Sequence, residues 1–252
     1  MSIKILHIDL ETAPHKVFAW GLWKQDIHID NIVEAGYTLC FAAKWHGQKD
    51  MIFKSVHHDG AEDMIQTAHH LIDEADAVVH YNGTKFDMPI LNQEFLAHGL
   101  SPTSPVQQID LLKTARKQFK LPSNKLDYVA RFLGLQGKVK HKGMQLWLDC
   151  MDGDESAWKV MKRYNIQDVR LLEKVYNALL PWIKDHPNMG LFNEKDRPVC
   201  TNCGSRHLQR RGLERTKTQV YQRYQCTSCG KWQRGRTNDT PLNQKANTLV
   251  SI

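Results

Sequence analysis

Three things are scarce in this 252-residue chain, and each scarcity excludes something. Long apolar runs are missing. No stretch approaches the length that a membrane-spanning helix needs, and the N-terminus lacks the basic-then-apolar pattern of a secretory leader. The expectation is an intracellular, cytoplasmic protein with no membrane partner. Cysteine is sparse, six residues in all, which excludes a disulfide-built scaffold. Cys40 and Cys150 stand alone in apolar contexts and read as buried packing residues or free thiols, leaving two Cys-x-x-Cys pairs. Acid is nearly absent from residues 200–236, where nine Lys and Arg residues meet only Glu214. That segment therefore carries +8 (9 − 1) against a net charge of +7 for the whole chain, which leaves the rest at −1. A basic module beside an acidic one fits a polyanionic partner; a solvated basic surface kept for solubility is the alternative. No internal repeat is visible, so a solenoid is excluded.

What is present is an ordinary globular composition, 41% hydrophobic and 24% charged, enough for one well-filled α/β domain and a small appendage. The domain is organised around residues 3–11, an apolar β-branched run ending in Asp9-Leu10-Glu11. That run reads as a buried central strand, and the i, i+2 spacing points both carboxylates to one face. Carboxylates at the end of a buried strand need compensation, and a divalent cation supplies it. Asp-x-Glu alone fits a strand emerging into solvent just as well. Residues 12–36 are a tryptophan-containing connection without a clean period, followed by a hairpin of strands 37–45 and 50–56. Residues 61–75 have helical apolar spacing, 77–81 form a short buried strand, and 86–98 form a helix stopped by Gly99. Gln108 to Leu112 starts another element that runs into a basic helical stretch. Ser123 and Asn124 are candidate caps for a helix over 125–133, and 136–142 is a basic loop. A long helix spans about 155–180. A hairpin beside the first strand, then alternating helices and strands, gives a ribonuclease H-like mixed sheet flanked by helices. We divide the chain into a domain over 1–184, a linker over 185–199 rich in Pro and Gly, a cysteine module over 200–236 and a disordered tail over 237–252.

Further polar residues join the first pair. Asp87 follows the strand 77–81 within Asn82-Gly83-Thr84-Lys85-Phe86-Asp87; as a plain helix N-terminal acid it needs no other function. Tyr164 and Asp168 lie four apart, on one helix face, and taken alone would be a surface pair. Taken together, Asp9-x-Glu11, Asn82-x-x-x-Phe86-Asp87 and Tyr164-x-x-x-Asp168 resemble the three exonuclease motifs of the DEDD superfamily. Tyr164 places the resemblance in the DEDDy branch, as in the proofreading domain of family B DNA polymerases. Leu126 to Leu135 also looks like the region before the third motif of that group. The resemblance covers residues 1 to about 182, with no polymerase portion after it, as in stand-alone exonucleases met in bacteria and their phages.

This resemblance implies a 3′-5′ exonuclease using two Mg²⁺ or Mn²⁺ ions, which hard oxygen ligands select over zinc. Asp9, Glu11 and Asp168 would hold the ion that activates water, and Asp9 would bridge to a second ion reached by Asp87. Tyr164 would orient the water; its phenol, with a pKa near 10, is a poor free base. Asn82 would contact substrate or only shape its turn, and Phe86 would act as a wedge at the terminal nucleotide or simply pack. His7, on the face of Asp9, reads as a core histidine before it reads as a hydrogen-bond support for a ligand. Lys138, Lys140, His141 and Lys142 would line the approaching strand or form a solvated loop.

Cys200-Thr-Asn-Cys203-Gly and Cys226-Thr-Ser-Cys229-Gly are two knuckles, each with a glycine that permits a tight turn around a metal. Two pairs without a thioredoxin-like surround favour one structural Zn²⁺ over redox chemistry, giving a zinc ribbon. Between and after the knuckles, Arg210, Arg211, Arg223, Tyr224 and Trp232 offer charges for phosphates and rings for bases; the rings could equally cover a small core. Single-stranded or frayed DNA is the expected partner, with RNA the alternative substrate. A DNA polymerase or another replication protein is a candidate partner. A non-catalytic adaptor on a nuclease scaffold is the competing class.

Overall fold

The computed structural model describes residues 3–135, 142–192 and 197–249. Lys138, Lys140 and His141 of the basic loop lie outside the described residues. The chain folds as two units, one of Lys4–Tyr176 and one from Asn177 onward.

The first unit is built on β1 (Ile5–Thr12). A short hairpin, β2 (Lys16–Val17) and β3 (Ile32–Glu34), follows it and supports a connection in which Trp20, Leu22 and Trp23 are exposed. Then come β4 (Thr38–Trp45), β5 (Ile52–Ser55), α1 (Ala61–Glu74), β6 (Ala77–His80), α2 (Asp87–Ala97) and β7 (Gln107–Asp110). The helices α3 (Leu111–Gln118), α4 (Leu126–Phe132), α5 (Met144–Met151) and α6 (Glu155–Leu179) complete the series. The sheet order is β5-β4-β1-β6-β7, so β1 is central; it runs antiparallel to β4 and parallel to β6, which is parallel to β7. This is the mixed, helix-flanked, ribonuclease H-like sheet expected from the order of elements.

Strand alternation sorts β1 into two faces. Leu6, Ile8 and Leu10 pack with Met64, Ile65 and Ile72 of α1 and Leu91 and Phe95 of α2. The other face, with His7, Asp9 and Glu11, shares its side of the sheet with Cys40, which packs with Leu146 and Cys150 of α5 and with Trp158, Met161 and Tyr164 of α6. Lys44 and Glu173 form an ion pair that ties β4 to α6. Only Ile5–His7 of β1 pair with β6, so the far half of β1 extends past the end of its parallel neighbour. α5 has no counterpart in the sequence reading. The expected side-chain cap of α4 is not formed: Ser123 Oγ accepts only from Lys125 N at 3.3 Å, and no side chain caps the helix.

The second unit contains β8 (Leu208–Arg215), β9 (Val220–Cys226) and β10 (Trp232–Arg234) in a three-stranded antiparallel sheet ordered β10-β9-β8. In the segment read as a disordered tail, a six-residue helix α7 (Leu242–Asn247) forms without a buried side chain.

Candidate active site and metal centre

The acidic residues meet at the half of β1 that extends past β6. Asp9 and Glu11 project from the same face of β1, and Asp168 comes to them from α6; one oxygen of each lies within 4.8 Å of the others. Three carboxylates that close repel one another, and hard oxygen donors in such a cluster suit a hard divalent cation. The residues present therefore fit such an ion. Asp87 stands beside the cluster. It is the first residue of α2, it is buried, and its Oδ1 accepts from Leu10 N at 3.2 Å, taking the place a neighbouring strand would occupy. Burial pushes its carboxyl up to about 6; the Leu10 N–H works against the rise and the Asp110 carboxylate adds to it. Tyr164 is buried one helical turn before Asp168, with its ring edge-on to Trp147 at 5.9 Å.

Two residues that the motif reading passed over hold these groups in place. Asn165, wholly buried, donates its Nδ2 to Asp9 Oδ2 at 2.9 Å and to Asp9 O at 3.2 Å. Asp110 caps α3 by accepting from Leu112 N and Lys113 N, and it also accepts from Asn82 N at 3.0 Å. A polar amide at a core-facing helix position and an Asp at a strand-to-helix junction were the available signals. Asn82 takes a left-handed φ of 71°, so it shapes the turn into α2. Next to it, Gly83 N donates to His80 Nδ1 at 3.1 Å, which leaves the Nε2 proton of His80 for Gln108. Phe86 is 44% exposed and does not pack into the core, contrary to the packing reading. Tyr81, by contrast, packs and donates to Asn124 O at 2.6 Å. Tyr81 and Asn82 border an open cleft of about 660 Å³ that also contains Arg116 and Lys125.

His7 resolves as a core residue. It is fully buried, its Nε2 lies 3.2 Å from His46 Nδ1, and Tyr176 meets it edge-on. Burial, helped by His46 and Lys44, holds its pKa well below the ordinary value, so it is neutral.

In the second unit the sulfurs of Cys200, Cys203, Cys226 and Cys229 converge within 4.8 Å of one another, with Cys200–Cys229 at 3.5 Å and Cys203–Cys226 at 3.6 Å. Four thiol sulfurs in that arrangement fit a tetrahedral zinc ion, and the fold is compatible with a zinc ribbon. Burial opposes ionisation of Cys226, but the N–H groups of Cys229 and Ser228 bring its thiol down to about 7, toward the thiolate that a metal requires. The basic residues beyond the knuckles do not form one surface. Arg210 and Tyr224 are a cross-strand pair on one face of the sheet. Arg223 and Trp232 project from the other, where the Arg223 guanidinium lies 4.9 Å over the Trp232 ring and Arg234 lies 4.1 Å over Tyr221. Arg211 belongs with the second group, because its Nε donates to Gln209, which pairs across to Gln225.

A central strand delivering two carboxylates to a third from a late helix, in a β5-β4-β1-β6-β7 sheet, defines a ribonuclease H-like α/β domain. The chain belongs to the RNase_H_2 family of the RNase_H superfamily, whose model matches residues 34–180. The matched span starts after β1, so Asp9 and Glu11 lie outside it while Asp87, Tyr164 and Asp168 lie within it. No curated protein matches the chain. Membership brings a nuclease-type function, with divalent metal and a nucleic-acid substrate. Among the described residues no helix is long and apolar enough to cross a membrane.

Proposed function

We propose that the chain is a metal-dependent 3′-5′ exonuclease of the DEDDy type that shortens DNA, with single-stranded or frayed ends as substrate. The observation that carries this reading is the convergence of Asp9 and Glu11 of the central strand with Asp168 of α6. Asp9, Glu11 and Asp168 hold one divalent ion, and Asp87 contributes to a second. Divalent ions bound there supply the positive charge that phosphodiester hydrolysis needs on the attacked phosphate and the leaving 3′ oxygen. The protein's own part is positioning. Asn165 holds the Asp9 carboxylate, Leu10 N holds Asp87, and the Tyr164 hydroxyl orients the attacking water. Burial raises the Asp87 carboxyl in the metal-free protein, and the positive charge of an ion bound beside it favours the carboxylate again, so metal binding and release of that proton support each other. The cysteine module is a zinc ribbon that holds nucleic acid through phosphate contacts and ring stacking. Its better surface is the face of Arg211, Arg223, Trp232, Arg234 and Tyr221, where guanidinium groups already lie on rings.

The test is cleavage of a 5′-labelled single-stranded DNA with Mg²⁺, beside Asp9→Ala and an RNA copy of the substrate. A ladder shortening from the 3′ end that the substitution abolishes supports the proposal. Faster cleavage of the RNA copy moves the substrate to RNA with the same chemistry. Intact binding without cleavage of either strand refutes the enzyme and leaves a nucleic-acid adaptor.

A further inference from the structure

A further cluster of metal-type ligands lies apart from the acidic site and the four cysteines. The turn after β5 carries His57 and His58, and the first residue of α6 is Glu155. His57 Nε2 is 2.9 Å from Glu155 Oε1, and His58 Nε2 is 3.5 Å from Glu155 Oε2; one ligand atom of each residue lies within 4.8 Å of the others. A tetrahedral ion with bonds of about 2.0–2.2 Å to nitrogen and oxygen separates its ligands by about 3.4 Å; the His58–Glu155 spacing is close to that value, and the hydrogen-bonded His57–Glu155 pair opens by about 0.5 Å to admit an ion.

The surroundings hold the two rings in place. The His57 ring lies parallel to the indole of Trp158, 9° from coplanar with centroids 5.3 Å apart. Trp158 is itself buried and anchored by its Nε1 to Cys150 O at 2.9 Å. His58 is fixed from its far side, where Nδ1 meets the fully buried Ser55 Oγ at 3.1 Å. That partner fixes the orientation of the ring, and it serves either tautomer, because the hydroxyl accepts from a protonated Nδ1 when Nε2 ligates and donates to Nδ1 when it does not. His58 N and Asp59 keep the Ser55 turn closed, through His58 N to Ser55 Oγ and Ser55 N to Asp59 Oδ2.

We infer that His57, His58 and Glu155 form a binding site for a divalent transition ion such as Zn²⁺, which clamps the turn after β5 to the start of α6. Two imidazoles and one carboxylate select a borderline ion over Mg²⁺. The three ligands are at the surface, so the fourth position of a tetrahedral ion is open to water. Tyr164 is nine residues further along the helix, about 14 Å at 1.5 Å per residue, so the ion is remote from the chemistry. Its effect is on α6, the element that delivers Tyr164, Asn165 and Asp168: occupancy ties the first turn of that helix to the sheet.

The experiment is calorimetric titration of the full chain, already carrying one zinc equivalent and held in Mg²⁺, with further ZnCl₂. The wild type, Glu155→Gln and the double substitution His57→Ala/His58→Ala are compared. All three positions are at the surface, and thermal melting in chelator verifies that each variant is folded. The expected result is one more zinc equivalent in the wild type than in the double variant. Glu155→Gln, which keeps a hydrogen-bonding side chain, should bind that equivalent at least ~10-fold more weakly. The wild type should also melt at a higher temperature with zinc, by a margin the double variant lacks. Equal stoichiometry and affinity in wild type and double variant overturn the site and leave a simple His–Glu ion pair. Because the comparison reads only the difference between variants, the outcome is independent of nuclease activity.

Discussion

Asn165 is fully buried and spends its amide on Asp9, so its loss is felt twice. Removing the amide in Asn165→Ala takes away both of its hydrogen bonds to Asp9 and opens a small void, together costing about 2 kcal/mol of stability. On the proposed reading it also lets the Asp9 carboxylate rotate. The Mg²⁺ concentration that supports half-maximal cleavage should then rise by roughly 10-fold or more, with less change in the rate at saturating metal. A magnesium titration of cleavage by wild type and variant checks this. Asp87 gives a prediction of opposite sign. Its folded pKa lies above the unfolded value, so between about pH 4 and 6 the folded state holds a proton that the unfolded state has released. That contribution to stability is complete below the unfolded pKa and is lost as pH rises through the folded one. Asp87→Asn, which keeps an acceptor for Leu10 N, removes the loss. In metal-free buffer the variant should match the wild type near pH 4 and exceed it by on the order of 2 kcal/mol at pH 7, as read by urea denaturation at both values. A wild type that is the more stable of the two at pH 7 would count against burial as the cause of the shift.

Among the elements, the turn from β6 to α2 is built with no spare room. A Cβ on Gly83 would come within 2.7 and 2.8 Å of Cβ and Cδ2 of His80, whose ring is fully buried. Gly83→Ala must therefore push the turn outward, and Asp87 with it. We expect a loss of about 1–3 kcal/mol in denaturant unfolding, together with cleavage reduced far more than a surface substitution in α2 would cause. The same turn shows what could be read in advance. Asp9-x-Glu11, Asp87 and Tyr164-x-x-x-Asp168 were legible because period-2 and i, i+4 spacings are local and place polar groups where apolar ones belong. Most of the strand and helix succession followed from the same periodicities. Asn165 and Asp110 were passed over because their roles exist only through partners distant in sequence: Asp9 for one, and Asn82 for the other. α5 escaped because Met144–Met151 follows a loop with no capping side chain. The two faces of the cysteine module became separable only with the register of β8, β9 and β10, since arginines are scattered along the whole segment.

For the molecule as a whole, three kinds of metal site are proposed in different places, carboxylate donors and a mixed imidazole–carboxylate set in the first unit and sulfur donors in the second. Stripping zinc with a chelator that spares Mg²⁺ should unfold the three-stranded sheet, because a module this small gains much of its folding free energy from the ion. Binding to long single-stranded DNA should weaken, and the slope of log affinity against log salt should become shallower as phosphate contacts are lost. Cleavage of a short oligonucleotide at saturating concentration should change much less. Filter binding across a salt series, paired with that cleavage assay, checks the division of labour. The hydrogen bonds from Asn165 to Asp9 have a further consequence, which concerns time. They join residues 156 positions apart, so nothing local in the chain can assemble the site. Contacts of such long range cost loop-closure entropy before they stabilise the chain. A chain emerging from the ribosome carries Asp9 and Glu11 for most of its synthesis without the helix that completes them. The carboxylates therefore remain an incomplete set until α6 docks, and a protein built to cut nucleic acid is made in the company of messenger and ribosomal RNA with its cutting centre still in pieces.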